Sequence, residues 1–258
     1  MKITILTLFP EFFDGFLTNS IIKRAIAANK VEIEIVNIRD FTLDKHGRVD
    51  SAPVGGGAGL IMKCQPVLDC LKSVKQENSH VVLLSPRGKT YNQARARSFA
   101  ELEHLVIICG HYEGTDERIN RHVNELISIG DYILTGGEIG AEIISDSIIR
   151  LLDGVIAPES IVDESFENGL LEYPQYAEPF DYDGDQIPDI LYSGNHTAID
   201  KWRKKQSLKL TKKYRPDLLE KYPLSKQDKK LLEELDSDEQ PKWEKDAIEK
   251  GKKFIKKK

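Results

Sequence analysis

The chain has 258 residues, of which 40% are hydrophobic and 31% charged, and its formal net charge is −5, values typical of a folded protein with one large or two ordinary domains. No apolar run could cross a membrane and no signal-peptide cleavage site follows the first residues, so we predict a cytoplasmic protein without a membrane partner. The cysteines Cys64, Cys70 and Cys109 follow no metal-ligand spacing, and the six histidines include no HxxxH pair. The sequence therefore predicts neither a disulfide framework nor a protein-built metal site.

The first 150 residues alternate between patterns typical of strands and patterns typical of helices. Strands are predicted at KITILTL (2–8), VEIEIVNI (31–38), VVLLS (81–85), LVIICG (105–110) and ELISI (125–129). Helices are predicted at PEFFDGFLTNSIIKRAIAAN (10–29), YNQARARSFA (91–100) and EIGAEIISDSIIRLL (138–152). Short, continuously apolar strands are typical of a sheet covered on both faces. This order predicts an α/β domain with a mostly parallel sheet.

The chain changes character after Leu152. The next forty residues are rich in proline, glycine and acids, and we interpret them as loop and linker. Helical patterns return at NHTAIDKWRKKQSLKLTKKY, RPDLLEKY and SKQDKKLLEELDSD, and these predict a small helical domain. The predicted segments are an α/β domain at 1–158, an interdomain loop at 159–175, a helical domain at 176–238 and a lysine-rich extension at 239–258.

Three successive predicted strands are each followed by a loop containing glycine or proline. These loops are SPRGK (85–89), GHYEGTDER (110–118) and GDYILTGGE (130–138). Parallel sheets bind ligands at the carboxyl ends of their strands, so the three loops together predict a ligand site. The sequence lacks the P-loop pattern GxxxxGK[ST], the dinucleotide-binding pattern GxGxxG after the first strand, and the nucleophile-elbow pattern GxSxG. The sequence therefore favours a small ligand held by main-chain groups against Ile129 and Leu134. An adenosine moiety with an uncharged linkage suits such a site.

Basic residues are concentrated in the second half of the chain. The run from Lys201 to Arg215 has eight basic residues and no acid, and the last nine residues add six lysines. On an acidic protein, such a stripe predicts a polyanionic partner with a defined footprint. We interpret the last nine residues as a solvated chain end and Trp202 as a helix-packing residue.

Seven motifs occur in order over about residues 1 to 235: FPEFF, GGGAG, SPRG, GHYEGTDER, SIGDYILTGGE, GLLEYPQY, and SGNH followed by KWRKKQSL. With this set the chain resembles the bacterial tRNA (guanine-N(1)-)-methyltransferases of the TrmD type. The resemblance implies an α/β SPOUT-type parallel sheet with a deep trefoil knot, plus a small helical C-terminal domain. It also implies a homodimer whose substrate is tRNA, methylated at N1 of the guanine immediately 3′ of the anticodon.

The resemblance further implies S-adenosyl-L-methionine, bent inside the knot, and Mg2+, for which the sequence shows no ligand cage. By the same resemblance, the cofactor-binding residues are Ser85, Pro86, Gly110, Tyr112, Glu113, Ser128, Ile129, Gly130, Asp131, Tyr132, Ile133, Leu134, Gly136 and Gly137.

Catalytic roles follow from the chemistry of the guanine ring. The ring nitrogen carries a proton, so a carboxylate must accept it, and negative charge then grows on the exocyclic oxygen. The family has an aspartate directly before a serine where this chain reads VDESF, so we assign Glu164 as the base, with Asp163 as the alternative. The family's arginine after the LTGGE loop corresponds to Arg150, which would stabilise the oxygen.

The basic run would contact tRNA phosphates through Lys201, Arg203, Lys204, Lys205 and Lys212. Two other functions stay open at this point. One is a SPOUT enzyme that methylates a ribose 2′-hydroxyl, which mass analysis of digested tRNA would separate. The other is a non-catalytic RNA-binding protein, which would not bind S-adenosylmethionine.

Overall fold

The computed structural model describes residues 1–235, 237 and 239–251; the predicted lysine-rich end after Gly251 lies outside them. The chain divides into two compact units, residues 1–158 and 159–258. None of the helices in the described ranges combines the length and apolar character that a bilayer crossing demands.

The first unit contains a five-stranded sheet in the order β2-β1-β6-β5-β7. Its strands are β1 (Lys2–Thr7), β2 (Glu32–Asn37), β5 (Ser79–Thr90), β6 (His104–Ile108) and β7 (Glu125–Ser128). A separate two-stranded ribbon joins β3 (Asp50–Ser51) to β4 (Ile61–Met62). Every pairing in the larger sheet is parallel. The prediction of an α/β fold with a parallel sheet is therefore confirmed.

Helices cover both faces of this sheet. They are α1 (Asp14–Thr18), α2 (Ser20–Ala27), α3 (Cys64–Val74), α4 (Gln93–Ala100) and α5 (Glu138–Ile149). Successive residues of β6 enter different cores: Ile107 packs with α2, α4 and α5, whereas Val106 and Ile108 pack with α3. This double burial explains why the strand sequence is continuously apolar rather than alternating.

The helices differ from the sequence prediction in two places. The predicted helix at 10–29 is divided, because Asn19 adopts an extended conformation and Ser20 a positive φ of 50°. The side chains of Thr18 and Asn19 bind the carbonyls of the preceding turn, which ends α1 there. Sequence reasoning also missed α3, although Val67, Cys70 and Leu71 follow helical spacing and are buried.

The second unit is mainly helical. Its helices are α6 (Pro158–Val162), α7 (His196–Tyr214), α8 (Pro216–Lys221), α9 (Lys226–Leu235) and α10 (Lys242–Gly251), and α6 begins at the boundary between the units. A short ribbon of β8 (Asp181–Tyr182) and β9 (Asp185–Gln186) lies in the segment interpreted as loop. Trp202 is buried with Ile190, Ala198 and Ala247, so its interpretation as a packing residue is confirmed.

The helix α10 lies in the predicted extension and is part of the second unit's core. Its Ala247 and Ile248 pack with the Trp202 cluster. Gly251 lies so close to Ser193 that a Cβ would stand 2.4 Å from the Ser193 Cα atom. The extension therefore contributes to folding through α10.

Candidate functional site

A cavity of about 630 Å³ opens at the carboxyl edge of the first unit's sheet. Its walls come from a loop within β5 and from the segments that follow β6 and β7, the three positions at which the sequence predicts ligand loops. A parallel sheet brings these strand ends to one edge, which is why segments distant in the sequence meet there.

The first wall is a loop inside β5. Leu84 and Lys89 both pair with Ile127 of β7, so the residues between them leave the ladder and form the cavity edge. Gly88 closes this loop directly against β7: a Cβ there would lie 2.4 Å from the Ile127 backbone nitrogen. Arg87 extends from the loop to Glu117, with 2.8 Å between nitrogen and oxygen, and this contact lowers the pKa of the Glu117 carboxyl.

The second wall is the segment after β6. Tyr112 has a positive φ of 61° and Gly114 one of 140°, so the chain turns sharply here. The segment is held by backbone hydrogen bonds to the ribbon strand β4 and the residue before it: Glu113 N donates to the Leu60 carbonyl (3.0 Å), and Met62 N donates to the Gly114 carbonyl (2.9 Å). The turn therefore exposes the Tyr112 ring at the cavity.

The third wall runs from Ser128 to Gly137. Gly130 has a φ of 147° and lies against the Tyr132 ring, whose hydroxyl donates to the Ile129 carbonyl at 3.1 Å. At its end the wall returns to the second segment, because Gly137 N donates to the Gly110 carbonyl at 2.8 Å. A Cβ on Gly137 would stand 2.7 Å from the Cys109 Cα atom, so only glycine permits this approach.

The structure brings together thirteen of the fourteen residues predicted to bind the cofactor. The thirteen that line the cavity are Ser85, Pro86, Gly110, Tyr112, Glu113, Ser128, Ile129, Gly130, Tyr132, Ile133, Leu134, Gly136 and Gly137. Asp131 is exposed and does not line it.

The predicted catalytic residues are divided between the two units. Arg150 is half-buried and caps the carboxyl end of α5 in the first unit. Asp163 and Glu164 follow α6 in the second unit, where Asp163 is exposed and Glu164 is half-buried. The Glu164 carbonyl accepts a hydrogen bond from Glu167 N at 3.2 Å, in a turn that ends near Leu170.

Several of the predicted phosphate-binding residues have partners within the second unit. Lys205 is buried, and its ammonium lies 3.5 Å from a Glu234 carboxylate oxygen. Lys201 lies 3.8 Å from the other oxygen of Glu234 and over the Trp243 ring. Sequence reasoning missed these contacts, because the acid and the aromatic ring come from α9 and α10.

The remaining cations of α7 differ in exposure. Lys204 donates to the Tyr222 hydroxyl at 2.7 Å, and the Arg203 guanidinium lies over the Tyr173 ring. Lys212 is exposed, as are Lys209 and Lys213, which the sequence prediction left out.

Three polar residues in or behind the cavity wall were also missed: His111, which lines the cavity, and Glu138 and Thr7, which do not. Glu138 is only 5% exposed, and its carboxylate accepts a hydrogen bond from the Thr7 hydroxyl at 2.8 Å. His111 lies beside it, with 3.9 Å between its Nδ1 atom and the carboxylate. Burial, with a smaller effect of the Glu138 charge, raises the pKa of the neighbouring Cys109 thiol. His111 and Glu138 do lie within the quoted motifs, but nothing in the sequence indicates Thr7 as their partner.

No group of three or more potential ligands among the described His, Cys, Asp and Glu side chains could hold a metal ion. A second depression of about 420 Å³ lies beside the start of α4. Arg95 and Glu125, which line it, form an ion pair, and none of the predicted site residues borders it.

Comparison with known proteins shows that most of the chain is similar to one family. A family profile described as tRNA (Guanine-1)-methyltransferase TrmD matches residues 1–221. A protein of Clostridium botulinum (strain 657 / Type Ba4), named tRNA (guanine-N(1)-)-methyltransferase, is 54% identical over 237 residues, which cover 91% of this chain and 98% of that protein. Proteins of the same name from Malacoplasma penetrans (strain HF-2) and Listeria welshimeri are 55% identical over 222 residues and 52% over 240. Those alignments cover 86% and 91% of this chain, and 98% of each relative.

Proposed function

This chain belongs to the tRNA (guanine-1)-methyltransferase TrmD family, and from that membership we propose that it modifies the guanine immediately 3′ of the anticodon. Methylation of guanine N1 in tRNA is the activity that the family match and the relatives' names support, and it implies S-adenosylmethionine as the methyl donor. The single structural observation that carries the proposal is the convergence of three strand-end segments on one cavity. The two alternatives, ribose methylation and RNA binding without catalysis, are not favoured.

The cavity suits S-adenosylmethionine because glycines in its wall expose main-chain groups to a ligand. Gly110, Gly130, Gly136 and Gly137 allow close approach of a ligand to backbone N–H and C=O groups, while Ile129 and Leu134 provide apolar surface. When bound, the donor supplies an electrophilic methyl group, so the protein needs no covalent nucleophile. We propose that the thirteen lining residues predicted from the sequence hold it.

The proposal includes a SPOUT-type trefoil knot. Two contacts support it: the Gly137–Gly110 backbone hydrogen bond and the antiparallel bridge between His111 and Gly136. Both bring the segment after β7 back onto the segment after β6. In a trefoil knot the chain passes through its own loop, so segments of this kind must lie against each other.

The protein's own groups would perform the proton transfer. We propose that the Glu164 carboxylate, or Asp163 in its place, accepts the proton of guanine N1, and that the Arg150 guanidinium stabilises the charge on the exocyclic oxygen. Holding the acceptor in line with the donor provides a further part of the rate. The magnesium ion that the resemblance implies would be held by fewer than three protein side chains, because the described His, Cys, Asp and Glu residues form no group of three or more that could bind it.

A second copy of the chain is part of the proposal. Ile133 lines the cavity, Ile139 and Ile143 belong to α5, and the three are 79%, 42% and 41% exposed although each is a large apolar residue. Exposed apolar surface of this kind is typical of an interface, and homodimerisation would cover it. Because tRNA is the substrate, we expect the enzyme to act in the cytoplasm.

The product test is direct. The purified protein, incubated with S-adenosylmethionine and unmodified tRNA, is expected to place one methyl group on N1 of the guanine 3′ of the anticodon. Nuclease digestion with mass analysis identifies the methylated nucleotide and its position. A methyl group on a ribose hydroxyl, or at another guanine, would contradict the proposal.

We propose that tRNA phosphates contact the exposed lysines in the second half of α7, including Lys212. Replacing Lys209 and Lys213 by glutamine is expected to reduce the slope of log K against log salt by about 0.7–0.9 per lost phosphate contact. Filter binding or fluorescence titration of tRNA from low to moderate salt measures this slope.

The matched control replaces Lys201 and Lys205, whose ammonium groups lie 3.8 and 3.5 Å from the Glu234 carboxylate and share its charge. This pair is expected to leave the slope nearly unchanged. An equal reduction in both double variants would show that exposure on α7 does not determine the footprint.

A further inference from the structure

We propose that Glu138 is a positioning residue for methyl transfer, whose carboxylate holds together the segments that wall the donor cavity. It would act through Thr7 on one side and His111 on the other. The inference rests on the proposed function, because it concerns the same donor site. It adds residues for which neither the motifs nor the chemistry of the reaction required a role.

The first argument is the burial of the carboxylate. Carboxylates are rarely buried unless they have partners, because burial removes the water that stabilises their charge. Glu138 is 5% exposed, yet its Oε1 atom accepts a hydrogen bond from the Thr7 hydroxyl. It is also the first residue of α5, where the helix dipole favours a negative charge. We therefore infer that the buried Glu138 carboxylate fixes the positions of the groups that surround it.

The second argument is the direction of the hydrogen bonds on the Thr7 side. The Thr7 hydroxyl oxygen accepts a hydrogen bond from Phe9 N at 3.0 Å, so its own hydrogen is available for Glu138. The Phe9 ring in turn packs on the His111 ring, with 4.8 Å between centroids. The end of β1 is thereby connected to both sides of the carboxylate.

The third argument is the narrow space on the His111 side. A Cβ added to Gly136 would lie 2.2 Å from the Glu138 Oε2 atom and 2.5 Å from His111 Nδ1, so the space between the two side chains stays open only because residue 136 has no side chain. His111 Nδ1 is buried, and none of the described residues forms a hydrogen bond with it. At 3.9 Å it is too far for a hydrogen bond to Glu138, yet a small closure of the loop would form one.

The position of these groups relative to the cavity separates positioning from catalysis. His111, Gly136 and Gly137 line the cavity, whereas Glu138 and Thr7 lie behind it. Glu138 thus does not touch the donor and can affect it only through the backbone segments that it holds. Loss of the carboxylate should therefore weaken donor binding more than it slows the chemistry.

The test uses isosteric variants of the full-length protein. Glu138→Gln keeps the shape and an acceptor for Thr7 but removes the charge, and Thr7→Val removes the hydroxyl. Both are expected to raise the KM for S-adenosylmethionine and the Kd for its demethylated product about tenfold. The kcat at saturating donor should stay within about threefold of the wild-type value, and tRNA affinity should not change. Thr7→Ser, which retains the hydroxyl that Thr7→Val removes, should bind the donor with nearly wild-type affinity.

A merely structural role would lower the melting temperature but leave the donor KM of the folded enzyme unchanged, and that result would overturn the inference. Equal donor affinity in Thr7→Val and Thr7→Ser would also overturn it, even if Glu138→Gln did not fold. Failure of the proposed function is distinguishable, because the wild-type protein itself would then neither bind the donor nor methylate tRNA.

Discussion

Replacing Glu164 by glutamine is expected to lower the single-turnover rate of guanine methylation by about 10²–10⁴-fold. Glutamine keeps the size and hydrogen-bonding capacity of the side chain but cannot accept the proton of guanine N1. Without a base the ring nitrogen remains a poor nucleophile, and proximity to the methyl group does not compensate. Rapid-quench assays at saturating tRNA and S-adenosylmethionine measure the rate of the chemical step.

The division of the chain into two units provides the control. All residues that line the cavity belong to the first unit, whereas Glu164 belongs to the second. Donor affinity in the Glu164→Gln variant should therefore equal that of the wild type. Calorimetry with the demethylated product tests this directly.

Asp163 is the alternative base, and its exposed carboxylate gives the matched variant Asp163→Asn. If Glu164 is the base, this variant should retain a rate close to wild type. The reverse result would transfer the role to Asp163. If both amide variants methylate tRNA at nearly the wild-type rate, neither carboxylate is the base and the proposed mechanism is wrong.

Replacing Gly137 by alanine is expected to weaken donor binding by about 100-fold or more and to destabilise the first unit by about 1–3 kcal/mol. The added Cβ would stand 2.7 Å from the Cys109 Cα atom and 3.0 Å from Gly110 N. Backbone cannot move aside as a flexible side chain can, so the two cavity walls must separate. The Gly137–Gly110 hydrogen bond would lengthen with them. Calorimetry and thermal unfolding measure the two effects.

Gly15→Ala is the matched control. Gly15 lies in α1, its φ is not positive, and a Cβ there would meet nothing within 4 Å. Alanine should leave donor affinity unchanged and slightly stabilise the helix. A Gly137→Ala variant that bound the donor as tightly as Gly15→Ala would show that the close approach of the two walls is not needed for binding.

The sequence predicted that three loops meet at one edge of the sheet, and the structure has a cavity at that edge, for a physical reason. Periodicity and β-branched composition are local signals, and they placed β5, β6 and β7 without knowledge of their neighbours. Once the sheet is parallel, the loops after those strands must meet at one edge. The family motifs then named individual residues, and the structure gathers all but Asp131 of the predicted donor set around one cavity.

Sequence reasoning does not show which charged side chains are paired with one another in the fold. The sequence shows seven lysines and arginines in α7 but not which acids face them, so Lys205 was predicted to contact RNA, whereas the structure buries it beside Glu234. The sequence pattern also did not indicate that the helix predicted at 10–29 is divided. Its cause is a set of side chain-to-backbone hydrogen bonds that compete with the helix without disturbing the apolar spacing.

By itself, then, the sequence determined the succession of most strands and helices along the chain, the edge where the glycine-bearing loops gather, and the family. These depend on spacing between near neighbours and on motifs a few residues long. Tertiary structure alone decided that Glu138 accepts a hydrogen bond from Thr7, 131 positions away, and that Gly137 lies against Cys109. Contacts between residues so far apart depend on how the strands are ordered in the sheet, and no local pattern in the chain records that order.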